Sequence, residues 1–476
     1  MSICNSFKLT SAVLSYFLFL MVSCSKPEEQ INLDSTKIID SVSIKKADGS
    51  YFTSSEIEVD IKGFAVDITV PFNTTLNPIT PYFTIIGKTI SPASGVPQDF
   101  TVPVVYTVTA EDGSTATYTV TVHLGPAPPI VYVGSSDNNF YALNALTGTL
   151  IWKYAGTASF AYSSATYSNG TVYVGGIDNY VYAFDASNGN IKWKNLIAYT
   201  GIESDAVYVN GTVYVGTNDD YLYALDANNG QEKWKYLTGA NVSASPTVLN
   251  NVVYFGSSDG KLYALNASTG QLKWSYQTGA MINQSGPSLV NSVIYVGSRD
   301  GYLYAIDANS GALVWKYFAN GVSLEQSSPT VANGIVYIGG WYDLSFVLKG
   351  SLYAINATTG ELVWEKLLNT GISSSPCVAN GRLYITADDL KIHALDATSG
   401  NDLWEKEILP NSASPAVSGG TVYVGGGGSH YFYAFDAVTG TENWKFAVTN
   451  GLSFSSPLIV TATGQADYSG DSGIAP

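Results

Sequence analysis

Residues 294–317 read IYVGSRDGYLYAIDANSGALVWKY, and variants of this phrase recur along the chain. Leu303 and Ala305 alternate with Tyr302, Tyr304 and Ile306, the period of two expected of a strand. Gly297 closes one strand, and Asp300-Gly301 and then Ser310-Gly311 supply the positive φ that tight hairpins need. The phrase ends on Trp315. Trp152, Trp193, Trp234, Trp274, Trp315, Trp364, Trp404 and Trp444 follow one another at intervals of 41, 41, 40, 41, 49, 40 and 40 residues. Such a rhythm marks a repeat array, and four short strands per unit predict an all-β, radially bladed β-propeller.

The ends of the array predict how it closes. The first unit begins directly with the strand Ile130 to Val133 and lacks the Ser-Pro-type strand that opens the others. Phe454-Ser455-Ser456-Pro457-Leu458-Ile459-Val460 is such a strand with no unit after it. The C-terminal strand should therefore complete the first blade of an eight-bladed ring, leaving no long unpaired edge. An indole buried between adjacent blades removes roughly 150–250 Å² from water. Its loss to alanine should cost about 3–5 kcal/mol.

The stretches 142–152 (ALNALTGTLIW), 224–234 (ALDANNGQEKW) and 434–444 (AFDAVTGTENW) resemble the tryptophan-docking motif, AxDxxTGxxxW, of quinoprotein-type propellers. The resemblance spans about residues 130 to 461. It implies that each indole stacks on a motif glycine, here Gly148, Gly189, Gly230, Gly270, Gly311, Gly360, Gly400 and Gly440. The family contains quinone dehydrogenases and also non-catalytic scaffolds similar to the propeller lipoprotein of the outer-membrane β-barrel assembly machinery. Function belongs to sites grafted on the fold, so the resemblance alone does not choose between them.

The N-terminus sets a compartment. Lys8 precedes an apolar run from Ala12 to Val22, too short for a spanning helix and suited to a signal-peptide core. Met21-Val22-Ser23-Cys24 resembles a bacterial lipobox, with methionine in place of the more usual leucine. Residues 1–23 are then a signal peptide, Cys24 is the lipidated first residue of the mature chain, and 24–36 form a tether. Acyl chains there would anchor the protein to a membrane. Ser25 resembles outer-membrane sorting, Glu28-Glu29 resembles the tethers of surface lipoproteins, and both faces of the outer membrane stay open. Cys4 leaves with the signal peptide, so no disulfide framework is expected around Cys377.

Residues 37–124 read as a separate β-sandwich. Val66, Ile68 and Val70 alternate with Asp67 and Thr69, and the runs 104–110 and 115–122 flank the hairpin turn Glu111-Asp112-Gly113-Ser114. The phrasing around Ser91-Pro92 and Tyr106 to Gly113 resembles immunoglobulin-like or cadherin-like modules of bacterial surface lipoproteins, which act as spacers. Residues 125–129 (GPAPP) form a stiff linker, 130–461 the propeller and 462–476 a tail. A net charge of −16 with only two arginines, Arg299 and Arg382, argues against nucleic acid or anionic headgroups as partners.

No catalytic, cofactor or metal site is expected. The chain lacks the adjacent cysteines of quinone dehydrogenases, and its units are too short to roof an active site. Asp178, Asp219, Asp220, Asp259, Asp300 and Asp389 fall at a hairpin of their units, where aspartate suits a turn. The motif aspartates Asp185, Asp226, Asp307, Asp396 and Asp436 interchange with Asn144, Asn266 and Asn356, which favours a structural role over metal ligation. His123, His393 and His430 are too scattered for zinc, and 425–428 lacks the ending of a phosphate loop.

What varies between units is more useful. Three residues before the proline of the Ser-Pro strand, or its equivalent, stand Tyr162, Glu203, Ser243, Gln284, Gln326, Ser373, Ser412 and Phe454. That position should ring the channel mouth, where it could take a peptide strand or a sugar. The sixth unit carries an insertion with Trp341, Tyr342, Leu344, Phe346, Val347 and Leu348, an apolar set suited to a protein contact or to packing on the next blade. The sequence thus predicts a lipid-anchored, non-catalytic scaffold that binds a protein partner in the cell envelope. A quinone-dependent dehydrogenase and a glycan-binding or adhesion module of the surface are the alternatives.

Overall fold

The computed structural model describes residues 35–467 apart from 47–48, 55, 73, 342–349, 369, 410–412 and 450–454. The chain divides into two compact units. The first holds residues up to 124 except 71–73, and the second holds those three together with 125 onward.

The first unit is a two-sheet sandwich. Its strands are β1 (Ile38–Lys45), β2 (Glu58–Lys62), β3 (Ala65–Val70), β4 (Thr80–Ile86), β5 (Thr89–Ser91), β6 (Val104–Thr109) and β7 (Thr115–Leu124). β1 pairs with β4, and the other sheet runs in the order β2-β3-β7-β6-β5, with β3 and β7 parallel. Alternation decides the inner face: Val66, Ile68 and Val70 are buried with Val120 and Val122, and they share one core with Ile39, Ile44 and Phe83 of the facing sheet.

In the second unit, eight sheets repeat one pattern. Blade two shows it: Thr166–Ser168, Thr171–Gly175, Tyr180–Asp185 and Ile191–Leu196 pair in order, all antiparallel. The three-residue strand is innermost and lines the central channel. In blade one that place is taken by Leu458–Val460, which pairs with Ile130–Gly134 from the other end of the repeat array. The chain then turns and adds Ala466–Asp467 to the same sheet.

The two middle strands of each blade are buried on both faces, because each blade is sandwiched between two others. Leu303 and Ala305 pack with Val336, Ile338 and Ile355 of blade six. Tyr304 and Ile306 pack with Tyr254, Leu262 and Ala264 of blade four. The outermost strands alternate between exposed and half-buried residues. In every blade the register slips by one residue just before the tryptophan, as between Ala305 and Ile306. A bulge of this kind re-aims the side chains that follow it.

Candidate functional site

The tryptophans form a closed belt. Each lies against the motif glycine of the following blade: a Cβ built on Gly189 would meet the ring of Trp152 at 2.5 Å, and on Gly311 that of Trp274 at 2.7 Å. Glycine is needed there twice over, since φ at Gly311 is +72°. Trp152 Nε1 donates to the carbonyl of Ala186 at 2.8 Å, and Tyr132 donates its hydroxyl to that same oxygen at 2.9 Å. This double donation recurs onto Ala227, Ala267, Ala308, Ala357, Ala397 and Ala437. Trp444 and Tyr423 complete the circle on Ala145, at 3.0 and 3.1 Å.

The motif aspartates hold the turns of that belt. Asp307 Oδ1 accepts the N–H of Asn309 and both the N–H and hydroxyl of Ser310, and the Ser310 hydroxyl leads in keeping its carboxyl below the ordinary range. Asn356 Oδ1 accepts from Thr358 and Thr359 in the same way, without a charge. The hairpin aspartates have a second structural task. Asp300 Oδ2 accepts the Tyr304 hydroxyl at 2.6 Å and the Gly279 N–H at 2.7 Å, tying blade five to the loop from blade four. Asp259 repeats this with Tyr263 and Gly239, while in blade seven His393 takes the tyrosine's place on Asp389. Among the described residues no group of three or more histidine, cysteine or acidic side chains is placed to hold a metal ion. Cys377 is buried in the innermost strand of blade seven.

At one end of the channel, Tyr162, Glu203, Ser243, Gln284, Gln326 and Ser373 converge on a single cavity of about 180 Å³. Ser412 and Phe454, which continue the series in sequence, lie outside the described residues, as do Tyr342, Phe346 and Cys24. Ser243 donates to Asn218 Oδ1. The side chains of Tyr162, Glu203, Gln284, Gln326 and Ser373 form no hydrogen bond or ion pair among the described residues. Trp341 is half-buried rather than an exposed anchor. Its backbone bridges to Ser323 in both directions, at 2.9 and 3.1 Å, and its Cβ faces Gly371 of the next loop.

Sequence reading missed the collar just below this mouth. In six of the blades the residue before the Ser-Pro proline, or its counterpart, donates its N–H to the side chain of the next blade: Ser164 to Asp205, Asp205 to Ser245, Gly286 to Ser328, Ser328 to Ser375, Ser375 to Ser414 and Ser414 to Ser456. The residue before that is a second serine in six of the blades. Ser285, for example, accepts the N–H of Gly297 at 3.1 Å and satisfies the end of the neighbouring strand. The recurrence of serine beside the proline was the available signal. Below the collar the channel widens into an apolar chamber of about 230 Å³ walled by Pro246, Pro287, Pro376, Pro415 and Pro457.

A protein-family model described as "Outer membrane protein assembly factor BamB" matches residues 120–199, 195–347 and 348–474, about three quarters of the chain. The chain belongs to this BamB family. A second model, described as "SGBP, N-terminal", matches residues 49–122 of the sandwich. Among solved structures the chain is similar to BamB from Moraxella catarrhalis, at 21% identity and a TM-score of 0.51 over 65% of this chain and 88% of that one. It is also similar to the computationally designed Ika8 protein, at 17% identity and a TM-score of 0.54 over 67% and 93% of the two chains. A europium-containing methanol dehydrogenase matches at 16% identity and a TM-score of 0.53 over 65% and 82%. At these identities the three structures show the propeller fold. No curated protein matches.

Proposed function

We propose that this chain is a non-catalytic lipoprotein of the outer membrane, anchored through Cys24, whose propeller serves as a binding scaffold for a protein partner of the cell envelope. One observation carries the reading. The residues shared by all eight blades are spent on joining blade to blade, whereas Tyr162, Glu203, Gln284, Gln326 and Ser373, at a position where the blades differ, meet at one mouth with their side-chain hydrogen-bonding groups unspent among the described residues. Membership of a family described as an assembly factor supports a protein partner. The dehydrogenase alternative has less behind it. Among the described residues only Glu203 and Asp205 bring carboxylates to the mouth, and Asp205 already accepts the Ser164 N–H at 2.5 Å, so the donor set is poor for a divalent cation.

The test is photocrosslinking in intact cells from a reactive residue placed at Gln326 and, in a second strain, at Phe346, with mass spectrometry of what is trapped. Capture of envelope assembly or transport proteins at either position supports the scaffold. Recovery of the protein alone from both positions overturns it, as would tight quinone and calcium binding accompanied by dye reduction.

A further inference from the structure

The channel mouth is a polar cavity of unusual balance. Among the described residues its lining includes no lysine, arginine or histidine, which disfavours an anionic ligand. Of its two carboxylates, Asp205 is occupied in the collar and Glu203 is not. The same lining carries two primary amides, Gln284 and Gln326, and two hydroxyls, Tyr162 and Ser373. A cation brings only donors, so it would satisfy Glu203 and leave the amide N–H groups without acceptors. A neutral polyol brings a donor and an acceptor on every hydroxyl, and planar carboxylate and amide groups can each bridge two adjacent hydroxyls.

One tyrosine lines this polar set and another stands in a loop that leads to it. Tyr162, on the rim, is 49% exposed. Tyr199 lies in the loop that leads from the outermost strand of blade two to Glu203, and it is 86% exposed. A tyrosine ring so placed offers a rigid apolar face with a polar tip, suited to the C–H face of a pyranose.

We propose that the mouth of the channel is a saccharide site, in which Glu203, Gln284 and Gln326 bind the hydroxyls of one residue of a neutral oligosaccharide while Tyr162 and Tyr199 stack against the chain as it leaves the cavity. This assigns the same mouth a ligand other than a protein and does not rest on the protein-partner reading, which is read apart from it by capture from Phe346. The experiment is titration of the mature chain, carrying Cys24→Ser, with gluco-, xylo-, manno- and galacto-oligosaccharides of six units, followed by calorimetry and by saturation-transfer NMR.

Saturable binding to at least one of them is expected. Glu203→Gln and Tyr162→Ala should each weaken it at least tenfold, and Tyr199→Ala several-fold, with melting temperatures unchanged. Absence of saturable binding to all four series overturns the proposal. So does binding that survives undiminished in the Glu203→Gln/Tyr162→Ala chain, which would move the sugar elsewhere, or saturation of the mouth by an uncharged peptide in place of every saccharide. Crosslinking from Phe346 reads the protein partner separately, so loss of one ligand does not mimic loss of the other.

Discussion

Two rings run around the propeller. In the belt, tryptophan, tyrosine, alanine and glycine recur in all eight blades, and every blade makes the same contacts with the next. At the mouth, neighbouring blades place a tyrosine, a glutamate, a serine and a glutamine at one structural position. Repetition follows a shared mechanical need. Variation around an axis of eightfold likeness makes the mouth asymmetric, and an asymmetric ring can bind a ligand in one orientation.

The comparison is broken most severely by removing the strand that closes the belt. A chain ending before Ser455 leaves Ile130–Gly134 without its inner neighbour and removes the Gly134 N–H to Ser455 contact. It is expected to yield no monodisperse folded protein, as read by size-exclusion chromatography and limited proteolysis. Within an intact belt, Trp152→Ala should cost about 3–5 kcal/mol, whereas Tyr132→Phe should cost only about 1 kcal/mol, because the Ala186 carbonyl keeps its indole donor. Denaturant unfolding of the two variants checks that ratio; equal losses would show that the shared carbonyl is not what joins them.

A third variant probes a residue between the rings. Glu325, just before Gln326, is 3% exposed, with Oε2 buried and unpartnered among the described residues and Arg299 Nε 3.8 Å from Oε1. Burial pushes its carboxyl above the ordinary range, and Arg299 only partly opposes this. The folded chain therefore keeps this proton to higher pH than the unfolded chain does. Its contribution to stability is greatest below the unfolded-state range and falls as pH climbs through the folded value. Glu325→Gln should raise the melting temperature at pH 7, and the gain should vanish near pH 4. The smallest effect belongs to the mouth: Glu203→Gln and Gln326→Ala should each change stability by less than about 0.5 kcal/mol, in contrast to the belt. A larger loss in either would make the mouth part of the frame.

Much of the frame was legible because it repeats. Tryptophan spacing gave blade number, the unpaired strands at both ends of the array gave the closure, and the interchange of Asp307 with Asn356 pointed to turns. The serine collar was harder to see. Ser245, Ser328 and Ser375 read as ordinary strand-opening residues, and a hydrogen bond to a blade some forty residues away shows in the sequence only as the recurrence of serine beside proline. The belt tyrosines were hidden for a related reason: tyrosine is a good strand former, so Tyr132 or Tyr254 is unremarkable until its hydroxyl is seen on the carbonyl that the indole also uses. The mouth was legible as a position. What each side chain does there was not, because unused hydrogen-bonding capacity is a property of the assembled ring.

The closure in blade one also sets a timetable. The Gly134 N–H waits for the Ser455 hydroxyl across 321 residues, and Ala145 waits for Trp444 across 299. During synthesis, blades two to eight can pair their own strands as they emerge, but blade one stays three-stranded until Leu458–Val460 arrives. The ring is therefore its own proofreader: a copy cut short at its C-terminal end keeps an open strand edge that a protease or chaperone can recognise, and only a chain read to that point hides it.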